Sequence, residues 1–136
     1  MAAKNTTIMS TGRRKTSVAR AAVKKGKGII FINNETLESY IPNKLLAMKL
    51  VEPLIISGLK DKYDFILNVT GGGQNSQVEA MRTAVARALV EVTGKDDLKK
   101  TFVEYDRSLL VSDTRFKEPK KPNNSNARAK RQKSYR

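Results

Sequence analysis

The chain has 136 residues and a formal net charge of +14, with an isoelectric point near 10.2. Its length and its hydrophobic content of 39% suit one compact domain with flanking segments. It contains no cysteine and no histidine. This composition excludes disulfides, thiolate or imidazole metal sites, and catalysis through Cys/His or Ser/His pairs.

The first part of the chain predicts strands. Residues 1–10 suit either a mobile start or an edge strand. Residues 16–24 predict a strand whose small odd-numbered residues suit the space beneath a helix, while its even-numbered residues include the cations Arg20 and Lys24. Residues 29–33 predict a second strand. Because the KGKG sequence between the two strands indicates a turn, we expect them to form a hairpin.

A helix is predicted after a short connecting stretch. Residues 37–41 fit either a strand or a connector. Asn43 is a suitable N-cap for the helix, and Gly58 is a suitable end for it. Since proline interrupts the helical hydrogen-bond ladder, Pro53 predicts a kink or a break into two short helices.

The clearest periodic patterns lie further along the chain. Residues 63–70 alternate between apolar and polar side chains, which predicts a strand. Residues 76–93 place apolar side chains at helical spacing, which predicts a long helix. Ser76 and Glu79 fit a capping-box pair at its start, and Gly94 fits the residue that ends it.

Two shorter elements complete the predicted body. Residues 96–105 predict a helix with acidic residues at its start, where the helix dipole favours them. Residues 107–112 predict a last strand or turn. Together these patterns predict a mixed α+β body over residues 1–114, in which helices pack on a sheet.

Residues 115–136 form a cationic tail. Nine of these 22 residues are Lys or Arg, Glu118 is the only acid, and no aliphatic side chain is larger than alanine. Such a segment cannot bury a core of its own, so we interpret it as an extended arm on the folded body. Fully extended, the arm spans roughly 70 Å.

The distribution of charge indicates a polyanionic partner. Residues 1–114 have a net charge of +6 and residues 115–136 have a net charge of +8, which favours nucleic acid. An anionic membrane is the weaker candidate, because the tail has no apolar face and the chain has no cysteine to acylate. The chain begins without a signal-peptide pattern, and no stretch approaches about 20 apolar residues. We therefore expect a cytoplasmic protein without membrane contact.

The three glycines at residues 71–73 lie between a predicted strand and a predicted helix, where a phosphate-binding loop would lie. They match neither the G-x-x-x-x-G-K-[ST] pattern nor the G-x-G-x-x-G pattern. A tight turn is the simpler interpretation, and close approach of an RNA backbone is the functional one. The acidic residues are scattered without an evident catalytic pair. We therefore expect no enzymatic activity, no small-molecule substrate and no cofactor.

Three kinds of function stay open on these residues. A structural RNA-binding protein without catalysis is the leading hypothesis. A free-standing RNA or DNA chaperone with a basic arm is the alternative, and an enzyme is opposed by the missing His, Cys and paired acids. The basic cluster at residues 13–15 is interpreted as a phosphate contact rather than as a solvated strand edge.

Four stretches of the sequence resemble a known family. The run GGGxxSQxxAxxxAxARAL over residues 71–89 resembles the signature of the ninth small-subunit ribosomal protein family. The stretch TGRRKTSVAR, residues 11–20, resembles the start of that family. DRSLL at residues 106–110 and ARAKRQKSYR at residues 127–136 resemble its archaeal and eukaryotic branch. The resemblance covers nearly the whole chain.

This resemblance implies a two-layer β-α-β-α body with a left-handed crossover, although the general rule favours right-handed crossovers. It also implies a structural role in the head of the small ribosomal subunit, with ribosomal RNA, neighbouring head proteins and the peptidyl-site tRNA as partners. The residues expected to approach the tRNA anticodon stem are Lys133, Ser134, Tyr135 and Arg136. Those expected to contact ribosomal RNA are Arg13, Arg14, Lys15, Arg20, Gly72, Gly73, Arg82, Arg87, Arg115, Lys120, Lys121, Arg128, Lys130 and Arg131.

The tail departs from the pattern of the family it resembles. Asn123, Asn124 and Asn126 stand where glycines are usual. Asparagine tolerates the left-handed region better than other side chains do, so we expect the turns to survive. Thr114 stands where a proline is common, which predicts a less rigid exit from the body.

Overall fold

A five-stranded mixed sheet is the framework of the computed structural model, which describes residues 7–130 and 132–135. The strands lie in the order β1-β2-β5-β3-β4, with β1 antiparallel to β2. They comprise β1 (Ile8–Arg14), β2 (Ser17–Lys25), β3 (Ile30–Ile32), β4 (Glu35–Thr36) and β5 (Tyr63–Thr70).

The helices of the described residues form two groups. The first group connects β3 to β5, and the second group follows β5. The helices are α1 (Leu37–Tyr40), α2 (Lys44–Ser57), α3 (Gln74–Thr93) and α4 (Asp96–Tyr105), and a 3-10 turn spans Arg107–Leu109. The stretch that fitted either a strand or a connector, residues 37–41, is therefore a short helical connector.

The predicted hairpin between β2 and β3 is wrong. β5 lies between these two strands, antiparallel to β2 and parallel to β3. The connection from β2 bends around the start of β5, because the Asp64 carboxylate accepts hydrogen bonds from the backbone N–H groups of residues 27–29, each at 2.8 Å. A side chain from a later strand therefore shapes this turn, and the local KGKG sequence does not reveal it.

The mixed α+β class is confirmed. β3 and β5 are parallel, and the connection between them crosses over through α1 and α2. β1 is an edge strand, which was one of the two alternatives for residues 1–10; residues 1–6 of that prediction lie outside the described residues. The left-handed sense of the crossover stays a prediction.

Small residues let α3 pack directly on the sheet. The predicted small face of β2 is confirmed, since Ser17, Ala19, Ala21 and Val23 are all buried. On β1, a Cβ atom at Gly12 would lie 2.1 Å from the carbonyl oxygen of Ala80 in α3. The helix backbone therefore lies against the strand backbone at Gly12.

Of the two alternatives predicted for α2 at Pro53, a kink or a break, the break is wrong. The helix starts at the predicted cap, where the Asn43 side chain accepts a hydrogen bond from the N–H group of Leu45 at 3.0 Å, and it ends at Gly58 with φ 65°. Pro53 lies inside one continuous helix. It is buried, as are Leu50 and Leu54 of the same helix. Packing of this face into the core offsets the loss of one backbone hydrogen bond.

The predicted capping box of α3 is wrong in its details. The helix begins at Gln74 with Gly73 as its N-cap, and the Ser76 hydroxyl accepts a hydrogen bond from the Gly73 N–H group at 3.2 Å. Glu79 does not reach back to the helix start, because it forms ion pairs with two cations described below. Gly94 ends the helix with φ 60°, as predicted.

The hydrophobic core lies on one side of the sheet. β5 contributes Phe65, Leu67 and Val69, which confirms its predicted alternation, and α3 contributes a long buried face. α2 and α4 pack against α3, and Phe102 of α4 is fully buried. On the opposite side of the sheet, the side chains of β1, β2 and β5 that alternate with the core residues are exposed or half-buried.

Candidate nucleic-acid interface

Arg87 ties the exit of the tail to the body. Its guanidinium donates hydrogen bonds to the carbonyl oxygen of Leu110 at 2.9 Å, to that of Thr11 at 2.7 Å and to the Ser112 hydroxyl at 3.0 Å. Thr11 lies on β1, whereas Leu110 and Ser112 immediately precede the tail. One side chain of α3 therefore joins the edge strand to the last segment of the body.

Arg14 makes a second connection to the same segment. Its guanidinium forms an ion pair with Glu79 of α3 at 2.7 Å and another with Asp113. The backbones of Arg14 and Asp113 also form an isolated parallel β-bridge. We call the set of contacts made by Arg14 and Arg87 the exit clamp. It fixes the point at which the tail leaves the body.

Arg82 is a buried structural residue. Its side chain is 9% exposed and forms ion pairs with Glu52 of α2 at 2.7 Å and with Asp106 at 2.9 Å. Its Nε atom has no hydrogen-bond partner among the described residues. Arg82 therefore joins α2, α3 and the end of α4, and an RNA phosphate would have to displace these acids to reach it.

Two carboxyl groups of this network have lowered pKa values. Burial alone would raise the pKa of Asp106, but hydrogen bonds from Ser108 and the charge of Arg82 outweigh it, so the pKa lies below its ordinary value. Burial would also raise the pKa of Glu79, but the neighbouring cations Lys49 and Arg14 outweigh it and hold this pKa below its ordinary value. Both groups are therefore ionised near neutral pH.

These pKa values predict a loss of stability in acid. When the folded-state pKa of a carboxyl is lowered, its contribution to stability is fully present above the unfolded-state pKa of about 4 and is lost as the pH falls through the folded-state value. We expect the urea midpoint of unfolding to fall between pH 6 and pH 3. Asp106→Asn should make this fall shallower. A midpoint that stays constant over this range would contradict the assignment.

The glycine loop makes a tight turn. Gly71 and Gly72 adopt positive φ angles of 75° and 66°, and a Cβ atom at Gly72 would lie 2.1 Å from the Ser17 hydroxyl oxygen. Gly73, in contrast, has open space around its Cα. This geometry indicates that the tight turn from β5 into α3 requires glycine at positions 71 and 72. Contact of Gly72 and Gly73 with an RNA backbone stays a prediction.

Other candidate cations of the body are exposed. Arg13 lies 4.8 Å above the ring of Phe116, the second residue of the tail. Lys15 has φ 52° in the turn between β1 and β2, and Arg20 lies on the open side of the sheet. These three side chains have no salt-bridge partner within the described ranges, so they are accessible to phosphates.

The tail contains no helix or strand over residues 115–130 and 132–135. Its Arg115 pairs with Asp113 at 2.7 Å, and Arg128 pairs with Glu118 at 2.9 Å. Asn123 adopts φ 63°, so one of the three asparagines does take the left-handed conformation expected of it. The remaining described candidates of the tail are exposed: Lys120, Lys121, Lys130, Lys133, Ser134 and Tyr135. Arg131 and Arg136 lie outside the described residues.

Sequence reasoning missed the partners that fix the tail. Asp113 and Phe116 were not among the candidate residues, although each contacts a predicted RNA-binding arginine. Their position beside the predicted boundary at residue 114 was the only available signal. The structure gives Arg82 and Arg87 several intramolecular partners that the sequence did not indicate. Contact of these two residues with RNA stays a prediction.

A groove of about 730 Å³ lies between α2, α3, α4 and the tail exit. Its wall includes the exposed apolar residues Met48 and Ile55, together with the paired charges described above. Among residues 7–130 and 132–135, no group of three or more acidic side chains could hold a metal ion. Over the same ranges, no helix has the length and apolar character needed to span a membrane.

The fold and its surface define a basic α+β protein with a clamped cationic arm. A family model described as ribosomal protein S9/S16 matches residues 12–136. The small ribosomal subunit protein uS9 of Thermoplasma acidophilum is 49% identical over 130 residues, covering 95% of this chain and 100% of the relative. The protein of the same name from Methanococcus maripaludis is 51% identical over 132 residues, covering 95% and 98%. The chain belongs to the ribosomal protein S9/S16 family, which confirms the resemblance found in the sequence.

Proposed function

We propose that this protein is a structural component of the small ribosomal subunit, without enzymatic activity, small-molecule substrate or cofactor. In this proposal its body binds ribosomal RNA in the head of the subunit, beside neighbouring head proteins, and the end of its tail reaches the peptidyl-site tRNA. Its location is the cytoplasmic ribosome. The name of the relatives supports assembly into the small subunit, and the geometry of the tail supports the RNA contacts.

The observation that carries this proposal is the exit clamp. It fixes the origin of the tail on the body, whereas the described Lys and Arg residues beyond it are exposed. An extended segment of 22 residues spans roughly 70 Å, so its end is able to act far from the body. A fixed origin restricts the volume that the end explores and raises its effective concentration at one place.

We divide the candidate RNA-binding residues into contacts and supports. The exposed body cations Arg13, Lys15 and Arg20 are proposed contacts, together with the cations of the tail. Arg14, Arg82 and Arg87 are proposed supports, because they are buried or half-buried and their guanidinium groups bind acids or carbonyl oxygens of the body. Arg115 and Arg128 also pair with acids, but their side chains are 82% and 86% exposed. RNA phosphates would have to replace these partners to be bound directly.

Gradient sedimentation tests the assembly. A tagged copy of the protein, expressed in an archaeal cell, should migrate with small ribosomal subunits and remain there after a wash at moderate salt. A free-standing RNA chaperone would stay near the top of the gradient or spread across it. That distribution would contradict the proposed function.

Removing residues 133–136 should weaken tRNA binding without unfolding the body. The described side chains of this segment are exposed, so we expect the thermal midpoint to change by less than about 2 °C. Small subunits with the truncated protein should bind peptidyl-site tRNA several-fold more weakly. Their log–log salt slope should fall by about 0.7–0.9 for each phosphate that the tail no longer neutralises.

The control for this truncation is Lys120→Gln with Lys121→Gln, which removes the same number of Lys and Arg residues nearer to the body. This variant should leave tRNA affinity closer to that of the intact protein. Equal tRNA affinity for truncated and intact subunits would contradict a tRNA contact by the tail end.

A further inference from the structure

The side of the sheet opposite α3 carries a row of apolar side chains. Met9 of β1 lies opposite Ala22 of β2, Ala22 lies opposite Ile66 of β5, and Ile66 lies opposite Phe31 of β3. Met9, Ile66 and Phe31 are 67%, 37% and 39% exposed. We call this side of the sheet the open face. Its apolar row crosses four neighbouring strands of the sheet.

Two cations flank the apolar row on the central strand β2. Arg20 and Lys24 precede and follow Ala22 on the same face, roughly 13 Å apart along the strand. Neither has a salt-bridge partner among the residues the structure describes. Beside Arg20 lie Thr11 on β1 and Asn68 on β5, whose side chains are able to form hydrogen bonds.

Asp64 is the acidic residue of these four strands. The hydrogen bond from the backbone N–H group of Ile29, followed by those of Lys27 and Gly28, holds the pKa of its carboxyl below the ordinary value. The same peptide groups donate to Oδ1 and stabilise the ionised carboxylate. Asp64 lies opposite Lys24 in the pairing of β2 with β5, so on these two strands the open face carries two cations, Arg20 and Lys24, and one acid.

The helices on the other side of the sheet carry a different distribution of charge. Helices α2, α3 and α4 carry six acidic residues: Glu52, Glu79, Glu91, Asp96, Asp97 and Glu104. The fold thus separates an open face with unpaired cations from a helical side on which basic and acidic residues are mixed. A polyanion would be attracted to the first side more than to the second.

We propose that the open face binds ribosomal RNA, with unpaired bases lying on the apolar row and phosphates at Arg20 and Lys24. This inference rests on the proposed function and specifies which side of the body serves it. Unstacked bases lie on apolar and aromatic side chains, and Phe31 supplies an exposed ring. RNA offers both flat bases and phosphates, which matches an apolar row between two free cations. A protein partner would need acidic groups at both of these positions.

The test compares two double variants of the full chain. Arg20→Gln with Lys24→Gln removes two cations from the open face, and Lys99→Gln with Lys100→Gln removes two exposed cations from α4. The probe is an archaeal small-subunit rRNA transcript, titrated at several salt concentrations. The open-face variant should bind about ten-fold more weakly at low salt, with its log–log salt slope reduced by about 1.5. The α4 variant should stay within about two-fold of the unmodified protein.

Phe31→Leu tests stacking separately from charge. Leucine keeps the apolar character but lacks the ring, so we expect RNA affinity to fall about five-fold with an unchanged salt slope. Circular dichroism must show that each variant keeps the fold. In the intact protein, ultraviolet crosslinking should join RNA to β3 or β5.

Failure of the inference differs from failure of the proposed function. If the unmodified protein does not bind the transcript, the proposed function is contradicted. If it binds and the open-face variant binds equally well, or the α4 variant loses as much affinity, only the assignment of the open face is overturned. A defect of the open-face variant that arises solely when other ribosomal proteins are present would indicate protein docking and would also overturn it.

Discussion

Gly12→Ala is expected to lower the free energy of unfolding by about 3 kcal/mol. The added Cβ atom would lie 2.1 Å from the carbonyl oxygen of Ala80 and 2.7 Å from the backbone nitrogen of Ala84. Both atoms belong to the backbone of α3, so no side-chain rotation relieves the overlap. The helix would have to move away from the sheet, which weakens its packing over β1 and β2.

Urea or thermal unfolding measures this effect, and the thermal midpoint should fall by roughly 10 °C. Gly73→Ala is the matched control, because its added Cβ atom would meet no heavy atom within 4 Å. Since alanine is a poorer N-cap than glycine, the control should lose less than about 1 kcal/mol. Equal losses for the two variants would show that close packing of α3 on β1 is not the cause.

Arg82→Met is expected to lower the free energy of unfolding by about 2–3 kcal/mol. Removing one partner of a buried ion pair leaves the acids without their counter-charge. Here Glu52 and Asp106 are 24% and 36% exposed, and water replaces part of the lost interaction. The expected loss is therefore smaller than that of a fully buried pair.

Arg20→Met is the control for this change, because Arg20 is exposed and has no salt-bridge partner in the described ranges. It should alter the free energy of unfolding by less than about 0.5 kcal/mol. RNA affinity separates the two roles further. An Arg82→Met protein of unchanged stability but weakened RNA binding would show that Arg82 contacts RNA and is not primarily a support.

Local patterns predicted most elements of the fold. The alternation of residues 63–70 and the helical spacing of the following segment led to the positions of β5 and α3, and the small residues of β2 indicated the helix that covers them. Strand order was not predictable in the same way. The pairing of β2 with β5 joins residues about 45 positions apart, and β5 separates two strands that are neighbours in sequence. Such pairing depends on the whole sheet and not on a turn motif.

The candidate site was predicted as a set of cations, without their partners. The sequence shows that Arg14, Arg82 and Arg87 are basic, but it does not show which acids and carbonyl oxygens meet them in the fold. The structure places Asp113 and Asp106 beside two of them and backbone carbonyl oxygens beside the third. Burial and ion pairing thus separate supports from available contacts, and both depend on tertiary packing.

The amino-acid sequence was sufficient to predict the class of fold, the basic character of the protein, its cationic tail and its family. Composition and local periodicity predict the first three, because these depend on residue types and their spacing, whereas the family follows from sequence motifs that resemble it. The strand order, the exit clamp and the difference between the open face and the mixed helical side came from the tertiary structure. These properties depend on distances between residues far apart in the chain, which packing of α3 on the sheet establishes.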